Sequence, residues 1–278
     1  MHVADDVERA GFGTTVGPER RACDLRRVDS ADRAEFMHIT EALAVEAANE
    51  GEVYIVDLDP QQSTAAWWRR RKGPQNPLLV TGVDSISRAV RLIKERNAER
   101  DYIIVDTPGS FLGVISDAIA EADAVIAVVQ PSGKDLEAQG VVDGLIAKTN
   151  KFGQTLYVLN RVDKRSKLTF DAAAKLTGKS TYPPFMIKDL DAYVRADMEG
   201  KTAPEVNNEC KEEITALWQA IKGIAENGHR KPIRSVEPEP GQSGDKRAGR
   251  GKGPRADRRP DSQETRSGRA GRLQNHVV

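Results

Sequence analysis

Short runs of aliphatic and β-branched residues recur through the middle of this chain, at Val53–Leu58, Tyr102–Val105, Ala124–Val129 and Leu156–Leu159, with a weaker one at Phe185–Ile187. Helical stretches separate them: Ile39–Asn49, Ser85–Ala98, Ser116–Ala122, Leu136–Thr149 and Phe170–Leu176. Strands alternating with helices in this way are joined by crossovers, which set neighbouring strands parallel and lay helices on both faces of the sheet. The alternation therefore predicts an α/β fold on a mostly parallel sheet. A last helix is expected over Cys210–Ala225, where Ile214, Leu217, Trp218, Ile221 and Ile224 share one apolar face.

The chain has 278 residues, ample for one α/β domain with a sizeable core. No stretch approaches the roughly 18 uninterrupted apolar residues of a membrane helix, and Met1–Asp6 is no basic signal-peptide start. The expectation is a cytoplasmic protein without membrane partners. Cys23 and Cys210 stand far apart without His or Cys neighbours, which excludes a disulfide framework and a Cys-x-x-Cys metal site.

The 42 Lys and Arg match the 42 Asp and Glu only in sum. Residues 229–278 hold 13 Lys and Arg against 6 Asp and Glu, have no Phe, Trp or Tyr, and are rich in Gly, Pro, Ser and Arg. Such a segment cannot bury enough apolar surface to offset its ordering entropy, so a disordered basic tail is expected. It is either a solubilising tail or a counterion-releasing arm for DNA, with Arg250, Arg258 and Arg259 in contact. Residues 1–36 show no clear period and no strand-like run. They read as an atypical, poorly ordered N-terminal segment, leaving 37–228 as the folded body.

In an open parallel sheet, ligands bind beyond the carboxyl ends of the strands. The first strand ends in Asp57-Leu-Asp-Pro-Gln-Gln-Ser63 and the second in Asp106-Thr-Pro-Gly109. Two apolar strands that deliver an Asp to the same edge can hold Mg²⁺ through oxygens and ordered water, as phosphate-handling sites require. A single such Asp would more often cap the next turn or helix. The fourth strand ends in Asn160-Arg161-Val162-Asp163. An Asn side chain both donates and accepts, which suits the edge of a purine.

The succession Val-Asp-Leu-Asp-Pro-Gln, Ile-Ile-Val-Asp-Thr-Pro-Gly and Val-Leu-Asn-Arg-Val resembles the ParA/MinD family of deviant Walker ATPases, and more specifically ParA-type partition proteins. Trp67-Trp68, Gly200-Lys-Thr-Ala-Pro-Glu-Val206 and Glu212-Glu-Ile-Thr-Ala-Leu-Trp218 extend the resemblance from about Ile39 to Ala225. It implies a P-loop NTPase-like fold that takes ATP and Mg²⁺. Asp59 would be the acidic switch residue that orients the attacking water, with Asp57 beside it near the phosphates. Asp106 would hold Mg²⁺ through water. Asn160 would meet the adenine, with Gln61, Thr107 and Gly109 also among the nucleotide contacts. The family further implies an ATP-bound homodimer that binds DNA non-specifically, a centromere-bound ParB-like partner, and a place on the nucleoid. Lys188 and Arg195 lie in the segment that often carries DNA contacts in relatives.

One part of the family pattern is missing. The phosphate loop, roughly Lys-Gly-Gly-x-Gly-Lys-Thr, is expected at about Ser30–Met37, where the chain reads Ser-Ala-Asp-Arg-Ala-Glu-Phe-Met. There is no lysine before Lys72. Glycines let successive backbone N–H groups turn towards phosphates, and lysines neutralise their oxygens. Gly11-Phe-Gly-Thr-Thr-Val-Gly17 is glycine-rich but lies too early and has no lysine. The sheet is therefore expected to lack its first strand and phosphate loop. Either residues 1–36 are unrelated to the family's own start, or the chain keeps the fold as a non-hydrolysing DNA- or partner-binding module.

Overall fold

The structure is a computed structural model that describes residues 20–25, 33–73, 75–95 and 101–228, with 20–25 and 33–38 as backbone only. The chain divides into two units, Met1–Pro232 and Ile233–Val278, and the second lies wholly outside the described residues. The expected tail, with Arg250, Arg258 and Arg259, and the Gly11–Gly17 stretch likewise lie outside the described residues.

Seven strands form one sheet: β1 (Arg20–Leu25), β2 (Val53–Asp57), β3 (Leu78–Val80), β4 (Tyr102–Asp106), β5 (Ala124–Val129), β6 (Thr155–Val162) and β7 (Phe185–Lys188). Their order is β3-β2-β4-β1-β5-β6-β7, and every pairing is parallel. This is the parallel α/β sheet that the alternation predicts.

Within β2, Val53 and Ile55 face one core while Tyr54 and Val56 face the other. In β4, Ile104 opposes Ile103 and Val105 in the same way. Both faces are apolar because both are covered. One layer holds α1 (Arg33–Ala47) and α9 (Asn208–Gly228). The other holds α3 (Ile86–Glu95), α4 (Leu112–Glu121) and α5 (Gly133–Lys148). The expected stripe of α9 is buried throughout, and Trp218 meets the edge of Tyr102 with ring centroids 4.8 Å apart. Among the described residues no helix is long and apolar enough to cross a membrane.

The expectation of a missing first strand needs correction. Residues Arg20–Leu25 run parallel between β4 and β5, with Cys23 in register with Val105 and Val125. The sequence conceals this strand because Arg-Arg-Ala-Cys-Asp-Leu lacks the apolar run that a central parallel strand normally shows. The expected loop position also moves. Residues 33–37 belong to α1, so only residues 26–32 separate β1 from α1. They read Arg-Arg-Val-Asp-Ser-Ala-Asp and lie outside the described residues.

Candidate functional site

The strand order reverses at β1: the chain first builds leftward to β2 and β3, then crosses to β5, β6 and β7. Such a reversal opens a crevice at the carboxyl edge. The predicted residues gather on its two sides.

On one side, Asp57 ends β2 and Asp106 ends β4, as register partners. Both are buried. One Asp57 oxygen accepts the Asp59 N–H at 3.0 Å. The other accepts the Ala65 N–H at 3.0 Å, in the first turn of α2 (Ser63–Arg70). Asp57 thus does for α2 what an N-cap side chain does. Gln62, at the N-cap position itself, has φ 51° and makes no side-chain cap. Asp59 is half-buried and accepts the Gln61 N–H at 2.9 Å, closing a tight turn on which Gln61 is exposed.

Asp106 accepts the Thr64 hydroxyl at 2.6 Å. Thr107 is buried behind it and Gly109 is half-buried in the following turn. Burial, and then the negative charge of Asp106, push the Asp57 carboxyl up to about 7. Thr64 is a site residue that sequence reasoning misses. The available signal was a hydroxyl in the first helical turn after a strand-end Asp.

On the other side, Asn160 is buried in β6, which runs three residues past the expected end through an irregularity between Leu159 and Val162. Asn160 lines a cavity with Arg161, Lys188, Asp189, Leu190 and Tyr193. Arg161 has φ 57°, and its Nε donates to Asp189 at 2.9 Å. Lys188 pairs with Glu209 and, at 3.6 Å, with Glu213, so it sits at the cavity edge as a partnered cation. Arg195 projects from α7 (Asp191–Met198), largely exposed, with Asp191 3.3 Å away. The two sides are three strand spacings apart, about 14 Å. β1 and β5 lie between them.

Among the described residues no group of three or more His, Cys, Asp and Glu is arranged to hold a metal ion. A cation here would rest on two carboxylates, a hydroxyl and water, all hard oxygens suited to Mg²⁺. Burial is the larger cause of the Asp57 rise; the smaller one, repulsion by Asp106, is what a divalent ion would relieve.

No family model matches the chain. Among curated proteins it is similar to Protein ParA of Rhizobium radiobacter, 31% identical over 94 residues, covering 34% of this chain and 42% of that protein. It is also similar to the maintenance of carboxysome distribution protein A of Halothiobacillus neapolitanus, 29% identical over 126 residues, covering 43% of this chain and 57% of that protein. The chain spans about half the length of these curated relatives. Among solved structures it resembles a chain of the Aquifex aeolicus MinC:MinD cell division complex, with TM-score 0.58, 16% identity, and coverage of 73% of this chain and 96% of that one. It likewise resembles a Cyanothece McdA variant in complex with ATP, with TM-score 0.57, 15% identity, and coverage of 74% and 98%. Sheet order, strand-end residues and these likenesses agree: the chain has the fold of the ParA/MinD family of deviant P-loop ATPases.

Proposed function

We propose that this chain is a ParA-like positioning protein whose body takes ATP and Mg²⁺ across the carboxyl edge of its sheet. One observation carries the reading: the Asn160 cavity and the Asp57–Asp106 pair flank the switch-point strand β1. The ATP complex of the Cyanothece McdA variant, on the same fold, supports it. Asn160 would orient the base, and Asp106 with Asp57 would hold Mg²⁺ through oxygens and water. The ion, when bound, supplies positive charge against the phosphate oxygens. Asp59, on its tight turn, is placed to hold a water. Gln61, Thr107 and Gly109 would complete the nucleotide contacts.

Turnover by this chain is expected to be slow or absent, because residues 26–32 contain neither glycine nor lysine. In this reading the nucleotide-bound chain forms a homodimer, binds DNA non-specifically and meets a ParB-like partner, as a cytoplasmic, nucleoid-associated protein of plasmid or chromosome segregation. Arg195 and the tail arginines Arg250, Arg258 and Arg259 suit the DNA contact better than Lys188, whose charge two glutamates already meet. A second reading, a non-hydrolysing module that binds DNA or a partner without ATP, gains support from the Thr64 hydroxyl that already occupies Asp106.

Thermal unfolding of the full chain with Mg²⁺ and ATP tests the first reading. Ligand at about 100 times its Kd should add about 2.7 kcal/mol of stability. Asn160→Ala should weaken that shift, and phosphate release should stay near background. If ATP leaves the melting temperature unchanged, the ATP reading fails. DNA binding that persists without ATP and weakens steeply with salt then favours the second.

A further inference from the structure

The helix that carries Thr64 is gripped at its far end by the segment joining α7 to α8 (Ala203–Val206). Gly200 has φ 67°, and a β-carbon there would stand 2.6 Å from the backbone carbonyl of Arg70 and 2.7 Å from the Arg71 nitrogen. Only glycine meets both demands at this contact. Around it the Trp67 indole donates to the Lys201 carbonyl at 3.1 Å. Arg71 forks onto Glu205 at 2.8 and 3.0 Å and covers the Trp67 ring at 5.4 Å. Arg70 reaches Asp197 at 2.9 Å. Glu205 also accepts the Thr202 N–H at 2.7 Å, which fixes the start of α8.

The other end of α7 forms a wall of the Asn160 cavity, through Leu190, Tyr193 and Val194. The other end of α2 delivers the Ala65 N–H to Asp57 and the Thr64 hydroxyl to Asp106. Two short helices in series, α2 being about 12 Å long, therefore run from the cavity to the carboxylates. Neither helix passes through the strands β1 and β5 that separate the two sides.

We propose that α7 and α2 form a relay between the Asn160 cavity and the Asp57–Asp106 pair, and that Gly200 is the positioning residue that seats one helix on the other. The proposal rests on the nucleotide reading only for what fills the cavity. Gly200→Ala pushes α2 away from the α7–α8 junction, and the displacement appears at the α2 N-terminus, where Asp57 and Asp106 are held.

Amide hydrogen exchange of the full, ligand-free chain tests it. Gly200→Ala should speed exchange at Ala65 and at the neighbouring amides of α2 by about tenfold or more, while β5 and β6 keep their protection. Trp67→Phe, which removes the bond to the Lys201 carbonyl and shrinks the buried ring at the seam, should act in the same direction. It decides the matter if Gly200→Ala does not fold. Lys201→Ala, which retains the carbonyl that Trp67 uses, should change nothing at Ala65. Exchange at Ala65 that is unaltered in both seam variants, or that rises equally across the sheet, overturns the relay. A second arm uses adenosine as the cavity probe: it should increase protection at Ala65 in the natural chain and not in Gly200→Ala. Adenosine bound without any change at Ala65 also overturns the relay. Absence of adenosine binding counts against the nucleotide reading, and the ligand-free arm still decides the relay.

Discussion

On the β2–β4 side of the carboxyl edge, the buried carboxylates are held by their own neighbourhood. Asp57 takes two backbone N–H groups and Asp106 takes a hydroxyl from the same short helix. On the β6–β7 side, Asn160 lines a small cavity whose charged residues are themselves paired, Arg161 with Asp189 of the same lining and Lys188 with Glu209 outside it. The first side is wired for placing negative charge, and changing it should cost stability. The second is shaped to receive something, and changing it should cost binding. The largest expected effect follows from that contrast. Thr64→Val keeps the shape of the buried side chain and removes the one donor it gives Asp106, which should destabilise the chain by about 1.5–3 kcal/mol in denaturant unfolding. A cost near zero would mean that Asp106 finds an equivalent donor, and the contrast would weaken.

The same side should also respond to pH. Asp57 binds its proton more tightly folded than unfolded, because its carboxyl rises from 3.8 to about 7. The stability it contributes is therefore complete below about 4 and is lost as pH rises towards about 7. Unfolding free energy measured from pH 4 to 8 should fall across this window, and Asp57→Asn should remove most of that fall. An unchanged slope in Asp57→Asn would place the titration elsewhere. The cavity side should show no matching slope from Asn160, which does not titrate.

Much of this contrast was legible in the sequence, and the limits have physical causes. Asp57, Asp59, Asp106 and Asn160 stood out because apolar runs end on them, and a parallel sheet brings such ends to one edge. The parallel sheet followed from the alternation of strands and helices, and the stripe of α9 from periodicity alone. The strand β1 did not, because Arg20, Arg21 and Asp24 break the apolar pattern and only the ladders to β4 and β5 identify it. Thr64 and Gly200 were invisible as partners of Asp106 and Arg70 because their roles depend on contacts 42 residues away for Thr64 and well over a hundred for Gly200. The wiring of α2 is tertiary, and no local pattern encodes it.

The cavity side sharpens the comparison with a smaller stability effect. Asn160→Ala should lower unfolding free energy by less than about 1.5 kcal/mol, the range of a single neutral hydrogen-bonded side chain. If ATP binds, the same variant should lose a larger share of nucleotide affinity than of stability, as read by paired thermal-shift titrations. A stability loss equal to that of Thr64→Val would erase the distinction between the two sides.

Each side also carries one strained backbone position, and these give the smallest and cleanest test. Gln62 at φ 51° stands before α2, and Arg161 at φ 57° stands at the irregular end of β6. Non-glycine residues in this region cost on the order of 1 kcal/mol, part of which glycine recovers against its greater freedom when unfolded. Gln62→Gly should therefore stabilise by about 0.5 kcal/mol, since its exposed turn loses no capping bond. Arg161→Gly recovers the same strain but loses the pair with Asp189, which is partly exposed and worth about 0–1 kcal/mol. Arg161→Gly should therefore gain less than Gln62→Gly. If Arg161→Gly proves more than about 1 kcal/mol worse than Gln62→Gly, then the Arg161–Asp189 pair stiffens the cavity more than an exposed ion pair should, and the cavity side is less open than its geometry suggests.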